Sequence, residues 1–108
     1  MDFLRGYKKE IITFCERADN IELKWHLALL LPRFQFSEKE FAYVWETLSS
    51  WLIDPEESKI VRANSLQALH ELSVQHLAAK EKFESILSEV EKENVPSLRA
   101  RIRKIRRK

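Results

Sequence analysis

The fold is decided by the middle of the chain, where residues 37–74 read SEKEFAYVWETLSSWLIDPEESKIVRANSLQALHELSV. Ser37 and Glu40 have the spacing of a capping box, in which each side chain bonds the backbone of the other at a helix start. Apolar residues then follow at helical spacing: Phe41, Val44, Trp45, Leu48, Trp51 and Leu52. Asp54-Pro55 supplies a cap and a proline tolerated in a first helical turn. The stretch therefore predicts two helices joined by a turn, with the second ending near Val74.

The N-terminal third predicts a second hairpin, over residues 2–31. Its first helix runs from about Asp2 to Ala18 by apolar spacing. Asp19 with Glu22 resembles a capping box that opens the next helix, which ends near Pro32. Because that helix is apolar nearly all round, we expect it to be covered on several sides.

The C-terminal third predicts a third hairpin, over residues 79–107. We place a break near residues 76–79, although apolar residues keep a regular phase across it, so one continuous helix over 57–93 is the alternative. Asn94, Pro96 and Ser97 start the last helix. No stretch alternates like a strand. The expected fold is all-α, an α-α superhelix of about six helices in one domain over residues 1–108.

An apolar-basic residue pair recurs through the chain. Leu23-Lys24, Val61-Arg62 and Leu98-Arg99 are 38 and then 37 residues apart, and each lies a few residues into a predicted helix. Two-helix repeats of about this length are typical of α-solenoids, in which neighbouring repeats cover one another's apolar faces.

The central repeat carries a family resemblance. Leu48-Ser49-Ser50-Trp51-Leu52-Ile53-Asp54-Pro55, followed by Ile60-Val61-Arg62-Ala63-Asn64-Ser65-Leu66-Gln67-Ala68-Leu69, resembles a HEAT repeat, an armadillo-type α-solenoid unit. The flanking repeats match more loosely, with Lys24 in place of the family arginine. The resemblance implies that Arg62 bonds toward Asp54 or a neighbouring turn, as one rung of a polar ladder between repeats. The alternative for Arg62 is a binding role.

Charge is distributed unevenly along the chain. Twelve basic and seventeen acidic residues precede position 98, a net −5, whereas seven of the last eleven residues are Arg or Lys. Three interpretations of residues 98–108 stay open: a solvated terminal helix, a surface for nucleic-acid phosphates, or one for an acidic protein. Without interleaved aromatic residues, the segment does not predict base stacking.

No pattern of catalytic, metal or cofactor residues stands out. The spacings of His26, His70 and His76 do not suit a helical zinc site, and one glycine excludes phosphate-binding glycine loops. Cys15 has the surroundings of a buried apolar residue. Trp45 and Trp51 lie on a core stripe, whereas Trp25 and His26 are on the second helix, which lines the concave side of HEAT stacks.

These observations predict a non-enzymatic protein-interaction module with no cofactor. No apolar run could span a membrane, and the N-terminus lacks a secretory pattern, so we expect a cytoplasmic protein. The partner would be another protein of unknown identity; the alternative is a nucleic-acid-binding module that uses residues 98–108. Oligomeric state is left open. The candidate binding residues are Lys24, Trp25, His26, Arg62, Arg99, Arg101, Arg103, Arg106 and Arg107.

Overall fold

The computed structural model of the protein describes residues 10–15, 17 and 19–106. Residues 10–15 and 17 are helical and belong to the first helix, α1. Five more helices follow: α2 (Ile21–Leu30), α3 (Glu38–Ile53), α4 (Lys59–Gln75), α5 (Lys80–Glu93) and α6 (Pro96–Arg106). The described part of the chain contains no strand, so the prediction of an all-α fold of about six helices is confirmed. The predicted helix start near Asp2 lies outside the described residues.

Helix α3 begins and packs as the sequence predicts. The Ser37 hydroxyl accepts a hydrogen bond from the Glu40 amide at 3.3 Å, and the Glu40 carboxylate accepts one from the Ser37 amide at 2.8 Å. This capping box occupies two of the N–H groups that a helix start leaves without intrahelical partners. The buried residues of α3 form one stripe: Val44, Trp45, Leu48, Trp51 and Leu52.

Helix α2 departs from its prediction in two respects. Its N-cap is Asn20, whose side chain accepts from the Leu23 amide at 2.8 Å, so the predicted Asp19 capping box is wrong. Asn and Asp cap helices about equally well, and the chain uses the residue one position later. The helix is also less covered than predicted, because Ile21, Leu29 and Leu30 keep 41–50% of their surface exposed.

Helix α4 also starts later than predicted. Ser58 is its N-cap, and the hydroxyl accepts from the Val61 amide at 3.2 Å. Asp54 is the C-cap of α3, and its carboxylate accepts from the Glu56 amide at 2.9 Å. The residues around Pro55 therefore close a separate turn before α4, and the prediction that Asp54 caps α4 is wrong.

The predicted break after α4 is confirmed, and one continuous helix over 57–93 is wrong. His76 leaves the helical conformation, with φ −127° and ψ 97°, and a single 3₁₀ turn over Leu77–Ala79 leads into α5. The His76 ring lies 4.2 Å from the Phe41 ring of α3, measured between centroids. A contact with α3, inside the same hairpin, thus accompanies the break in a stretch that lacks a strong local helix breaker.

Helix α4 is the centre of the packing, since it contacts α2, α3, α5 and α6. Lys24 near the start of α2 pairs with Glu57 just before α4, and Gln75 at the end of α4 donates to the Pro32 carbonyl just after α2. These contacts make α2 and α4 parallel neighbours. Helix α6 packs on α4 as well, so α2, α4 and α6 form one layer, while α3 and α5 contact each other beside it.

Helix α6 is an integral part of the core. Leu98, Ile102 and Ile105 are 0%, 3% and 7% exposed, so the apolar stripe of the basic helix is covered.

The predicted burial of Cys15, in α1, is confirmed as well.

Candidate interaction surface

The outer face of the α2–α4–α6 layer carries regular stripes of accessible side chains. On α4, five of the exposed or half-buried residues lie at i, i+4, i+7, i+11 and i+14: Ile60, Asn64, Gln67, Glu71 and Val74. On α2, Glu22, His26 and Leu29 are exposed at i, i+4 and i+7. Residues at these spacings share one face of a helix. We call these stripes, with the accessible residues of α6 beside them, the even-helix surface.

Exposed hydrophobic residues are concentrated on α2 and α4, and exposed cations on α6. Eight large hydrophobic residues are exposed among the described residues, and five of them lie on α2 and α4: Ile21, Leu29, Leu30, Ile60 and Val74. On α6 the exposed side chains include the cations Arg99, Arg103, Lys104 and Arg106. The even-helix surface therefore combines the apolar residues Leu29, Ile60 and Val74 with the acids Glu22 and Glu71, and α6 adds positive charge beside α4.

Lys24 is held in place by an ion pair. Its ammonium lies 2.5 Å from a carboxylate oxygen of Glu57, and the two side chains are 18% and 8% exposed. The same ammonium lies 5.8 Å from the centre of the Trp51 ring, within cation–π range. Lys24 therefore joins α2 to the turn between α3 and α4.

Arg62 is buried, at 3% exposure. Its Nε donates to the Leu52 carbonyl at 2.7 Å and its Nη2 donates to the Glu93 carboxylate at 2.6 Å. The Leu52 carbonyl lies in the last turn of α3, where carbonyl groups lack intrahelical partners. Arg62 thus ties α4 to α3 and α5: it bonds Leu52 rather than Asp54, and its other partner, Glu93, lies beside a neighbouring turn.

Lys24, Arg62 and Arg99 occupy equivalent positions, since each is the fourth residue of its helix. Lys24 and Arg62 each reach an acid at the turn inside the following hairpin: Glu57 between α3 and α4, and Glu93 at the end of α5 before α6. Arg99 instead donates to the side chain of Asn94, in the turn before its own helix. Lys24 and Arg62 therefore each connect two neighbouring hairpins, whereas Arg99 is exposed on the last helix.

Trp25 and His26 form a stacked pair on α2. Their ring centroids are 3.9 Å apart with an interplanar angle of 22°. The His26 Nδ1 lies 2.8 Å from the Glu22 carbonyl, and His26 is exposed while Trp25 is half-buried. The structure thus places His26 on the even-helix surface, while Trp25 lies beside it and packs against the core. Trp45 and Trp51, predicted as core residues, are each 8% exposed.

Of the remaining candidates, Arg101, Arg103 and Arg106 lie on α6. Arg101 is half-buried beside α4, where its guanidinium donates to the Gln67 side chain at 3.4 Å. Arg103 is exposed, and Arg106 forms an ion pair with Glu91 of α5 at 2.7 Å. Arg107 lies outside the described residues.

The sequence interpretation missed the exposed hydrophobic residues as binding candidates. Leu29 and Ile60 were assigned only as parts of apolar helices, yet they are 47% and 49% exposed. The signal was present, since the apolar residues of both α2 and α4 are spread over more than one helix face. Such a helix either is covered all round or presents an apolar surface, and periodicity alone does not distinguish these outcomes.

Two clefts open at the 3₁₀ turn between α4 and α5. One has a volume of about 510 Å³ and is walled by Phe41, Trp45 and His76. The other, of about 360 Å³, lies between the end of α4, the start of α5 and the end of α6. Among the described residues, no group of three or more His, Cys, Asp or Glu side chains is placed to hold a metal ion. None of the described helices has the length and apolarity that a membrane crossing requires.

Comparison of the chain with protein-family models, with curated proteins and with solved structures finds no match.

Proposed function

We propose that this protein is a non-enzymatic interaction module, a small HEAT-like α-solenoid that binds another protein through its even-helix surface in the cytoplasm. The observation that carries the proposal is the set of exposed hydrophobic residues on the even-helix surface: Leu29 of α2, with Ile60 and Val74 of α4. Exposed apolar side chains grouped on one face are typical of protein-binding sites. The neighbouring cations of α6 would add attraction for an acidic partner.

The polar contacts between hairpins support the HEAT-like part of this proposal. Lys24 and Arg62 have the same position in their helices, and each pairs with an acid at the turn inside the following hairpin. A contact repeated with the sequence period is expected of stacked repeats, in which each unit contacts its neighbours.

Capture of a partner from native lysate, with matched variants, tests the proposal. We expect wild-type protein to retain a specific partner and the Leu29→Ser/Ile60→Ser variant to lose it, because both side chains lie on the even-helix surface. Ile53→Ser is the control, since Ile53 is similarly exposed, at 53%, but lies on α3. Equal recovery with all three proteins, or no partner with wild type, would contradict the proposal.

Nucleic-acid binding is the second candidate, and the exposed cations of α6 favour it. Arg103 and Lys104 extend from the side of α6 that does not pack on the core. Titration with duplex DNA and with RNA at low and moderate salt tests this candidate, with Arg103→Gln/Lys104→Gln as the variant. Binding through phosphates would weaken steeply with added salt and would be reduced in the variant. No binding at low salt would eliminate it.

A further inference from the structure

The 3₁₀ turn between α4 and α5, Leu77–Ala79, interrupts a stretch of sequence that favours a continuous helix. Neither Gly nor Pro occurs from Lys59 to Glu93. Residues 77–82 read LAAKEK, and Leu, Ala, Lys and Glu are all strong helix formers. Local preference and observed structure therefore disagree at this turn, and the break depends on the packing of α5 and α6 against the rest of the protein.

The corresponding turn after α2 shows what this one lacks. It is also a 3₁₀ turn, Leu31–Arg33, and Pro32 stands at its second position, where Ala78 stands in the later turn. A proline has no N–H and its ring clashes with the carbonyl four residues earlier, so it prevents a helix from continuing. Ala78 imposes no such restriction, and α4 and α5 can therefore join into one helix if α5 leaves its present position.

Helices α5 and α6 form a hairpin that is held together by contacts of its own. Arg106 pairs with Glu91, and Arg99 donates to Asn94 in the turn between the helices. Outside the hairpin, α5 contacts α3 and α4, and α6 contacts α4. A unit of this kind can be exchanged between two copies of a chain, because the same contacts with α3 and α4 then form between the copies.

The contacts between α4 and α5 determine where the symmetry axis of such a dimer would lie. Arg62 in the first turn of α4 bonds Glu93 at the end of α5, and the ring centroids of His70 and Phe83 are 5.5 Å apart. The two helices are therefore antiparallel, and both pairs are centred in sequence within one position of Leu77. Two straight α4–α5 helices paired in this register would be related by a two-fold axis at the 3₁₀ turn.

Leu77 is the residue that this arrangement would cover. Its side chain is 80% exposed, the highest value among the exposed large hydrophobic residues that the structure describes. On a straight helix Leu77 lies two turns after His70, and residues seven apart share one face. Because His70 contacts Phe83 of α5, Leu77 would face the paired helix and contact its own counterpart at the two-fold axis.

We propose that two copies of this protein exchange their α5–α6 hairpins, with the Leu77–Ala79 turn straightening so that α4 and α5 form one helix. The single chain keeps the break, and the exchanged dimer keeps the same interhelical contacts and adds the contact between the two Leu77 side chains. Exchange requires the hairpin to detach, so refolding at high protein concentration favours it by mass action. The inference rests on the turn and does not depend on the proposed function.

Sedimentation of the full-length protein, refolded from urea at low and at high concentration, tests dimer formation. We expect the dimer fraction to rise with the concentration at refolding. Ala78→Pro should abolish the dimer, because proline prevents a continuous helix yet suits the second position of this 3₁₀ turn, as Pro32 does in the earlier one. Wild-type protein that stays monomeric at every concentration would overturn the proposal, as would an Ala78→Pro dimer.

A second variant decides the matter even if Ala78→Pro does not fold. Leu77→Ser should weaken the dimer about tenfold or more, as loss of a central apolar contact does, while the monomer keeps its thermal midpoint because the side chain is already exposed. Ile53→Ser is the control, since Ile53 is 53% exposed but lies on α3, and should dimerise as wild type does. Equal dimer affinities of the Leu77→Ser and wild-type proteins would contradict the assigned register.

Spin labels distinguish exchange from simple surface association. The labels are placed by Lys59→Cys/Lys92→Cys in a Cys15→Ala chain, which is refolded with an excess of unlabelled protein and measured by pulsed electron paramagnetic resonance. In the monomer the two labels are close, because Arg62 and Glu93 are in contact. In the exchanged dimer they lie on one straight helix and should be about 50 Å apart, at about 1.5 Å per residue. A dimer that keeps the short distance within one chain would overturn the proposal.

Discussion

The guanidinium of Arg62 links three helices, since it belongs to α4 and donates to Leu52 of α3 and Glu93 of α5. A buried charge is tolerated only when its hydrogen bonds and its counter-charge are supplied by the protein. Here the counter-charge is partly solvated, because the Glu93 side chain is 30% exposed. Loss of Arg62 would therefore leave the Leu52 carbonyl without its charged donor, while Glu93 could regain water.

We expect Arg62→Ala to lower the free energy of unfolding by about 2–3 kcal/mol, somewhat less than removal of one partner from a fully buried pair. Urea unfolding followed by tryptophan fluorescence measures this, since Trp45 and Trp51 are buried. Arg103→Ala, at an exposed position on α6, is the control and should change stability by about 0.5 kcal/mol or less. A loss in Arg62→Ala no larger than in the control would refute the linking role.

Loss of the Ser65 hydroxyl, unlike loss of the Arg62 side chain, should not lower the free energy of unfolding. Ser65 is fully buried in α4, and its hydroxyl has no hydrogen-bond partner among the described residues. An unpaired buried hydroxyl costs stability, and Ala is also the better helix former. We expect Ser65→Ala to leave the free energy of unfolding unchanged or to raise it by up to about 1 kcal/mol, measured in urea. A clear decrease would show that the hydroxyl is paired in solution.

At the scale of elements, the turn between α5 and α6 depends on one backbone conformation. Asn94 has φ 59° and ψ 40°, in the left-handed region. Among the non-glycine residues that the structure describes, it is the one with a positive φ. Asn adopts this conformation more readily than most residues and ends helices there, as glycine does. Its side chain also accepts a hydrogen bond from Arg99 at the start of α6.

We expect Asn94→Ala to destabilise the protein by about 1–2 kcal/mol, because it combines the left-handed penalty with loss of the Arg99 contact. Asn94→Gly is the matched variant: it loses the same contact without that penalty and should change stability by about 0.5 kcal/mol or less. Thermal unfolding followed by circular dichroism compares the two. If both variants lose the same stability, the backbone conformation is not the cause.

The elements that could be predicted are those whose signal is local. Ser37 and Glu40 specify the start of α3 within one turn, and both bonds form. The starts of α2 and α4 were misplaced because two adequate capping residues lie close together at each, and the sequence does not rank them. The break at His76 has no strong local signal; it was predicted only because the repeat needs it.

The candidate surface was predictable only in part. Its position on α2, α4 and α6 followed from the repeat, and the exposed arginines followed from the charge pattern. Which apolar residues stay uncovered could not be predicted, because the exposure of Ile60 or Leu77 depends on where neighbouring helices end. The partner of Lys24 could not be predicted either, because Glu57 is 33 residues away in sequence.

At the scale of the whole molecule, the cationic last helix contacts the acidic body through an ion pair and a hydrogen bond to a neutral side chain. Arg106 pairs with Glu91 of α5, and Arg101 donates to Gln67 of α4. Beneath them, the apolar stripe of α6 packs into the core. The cationic helix therefore combines two roles, because one side completes the fold while the other presents Arg103 and Lys104 to solvent. Only substitutions that keep Leu98, Ile102 and Ile105 can test the role of the α6 charges separately from the role of its packing.

Truncation after Ser97 should consequently unfold the protein, whatever the cations bind. It removes the three buried residues Leu98, Ile102 and Ile105, each worth about 1.5–3 kcal/mol, and uncovers the α4 face beneath them. That loss is comparable to the whole stability of a small domain, about 5–15 kcal/mol. Arg103→Gln/Lys104→Gln removes two charges but keeps the stripe, so its thermal midpoint should stay close to that of wild type. Circular dichroism during heating compares the three proteins. A truncated chain that melts cooperatively at the wild-type temperature would mean that α6 is an appendage, and its cations could then be tested by simple deletion.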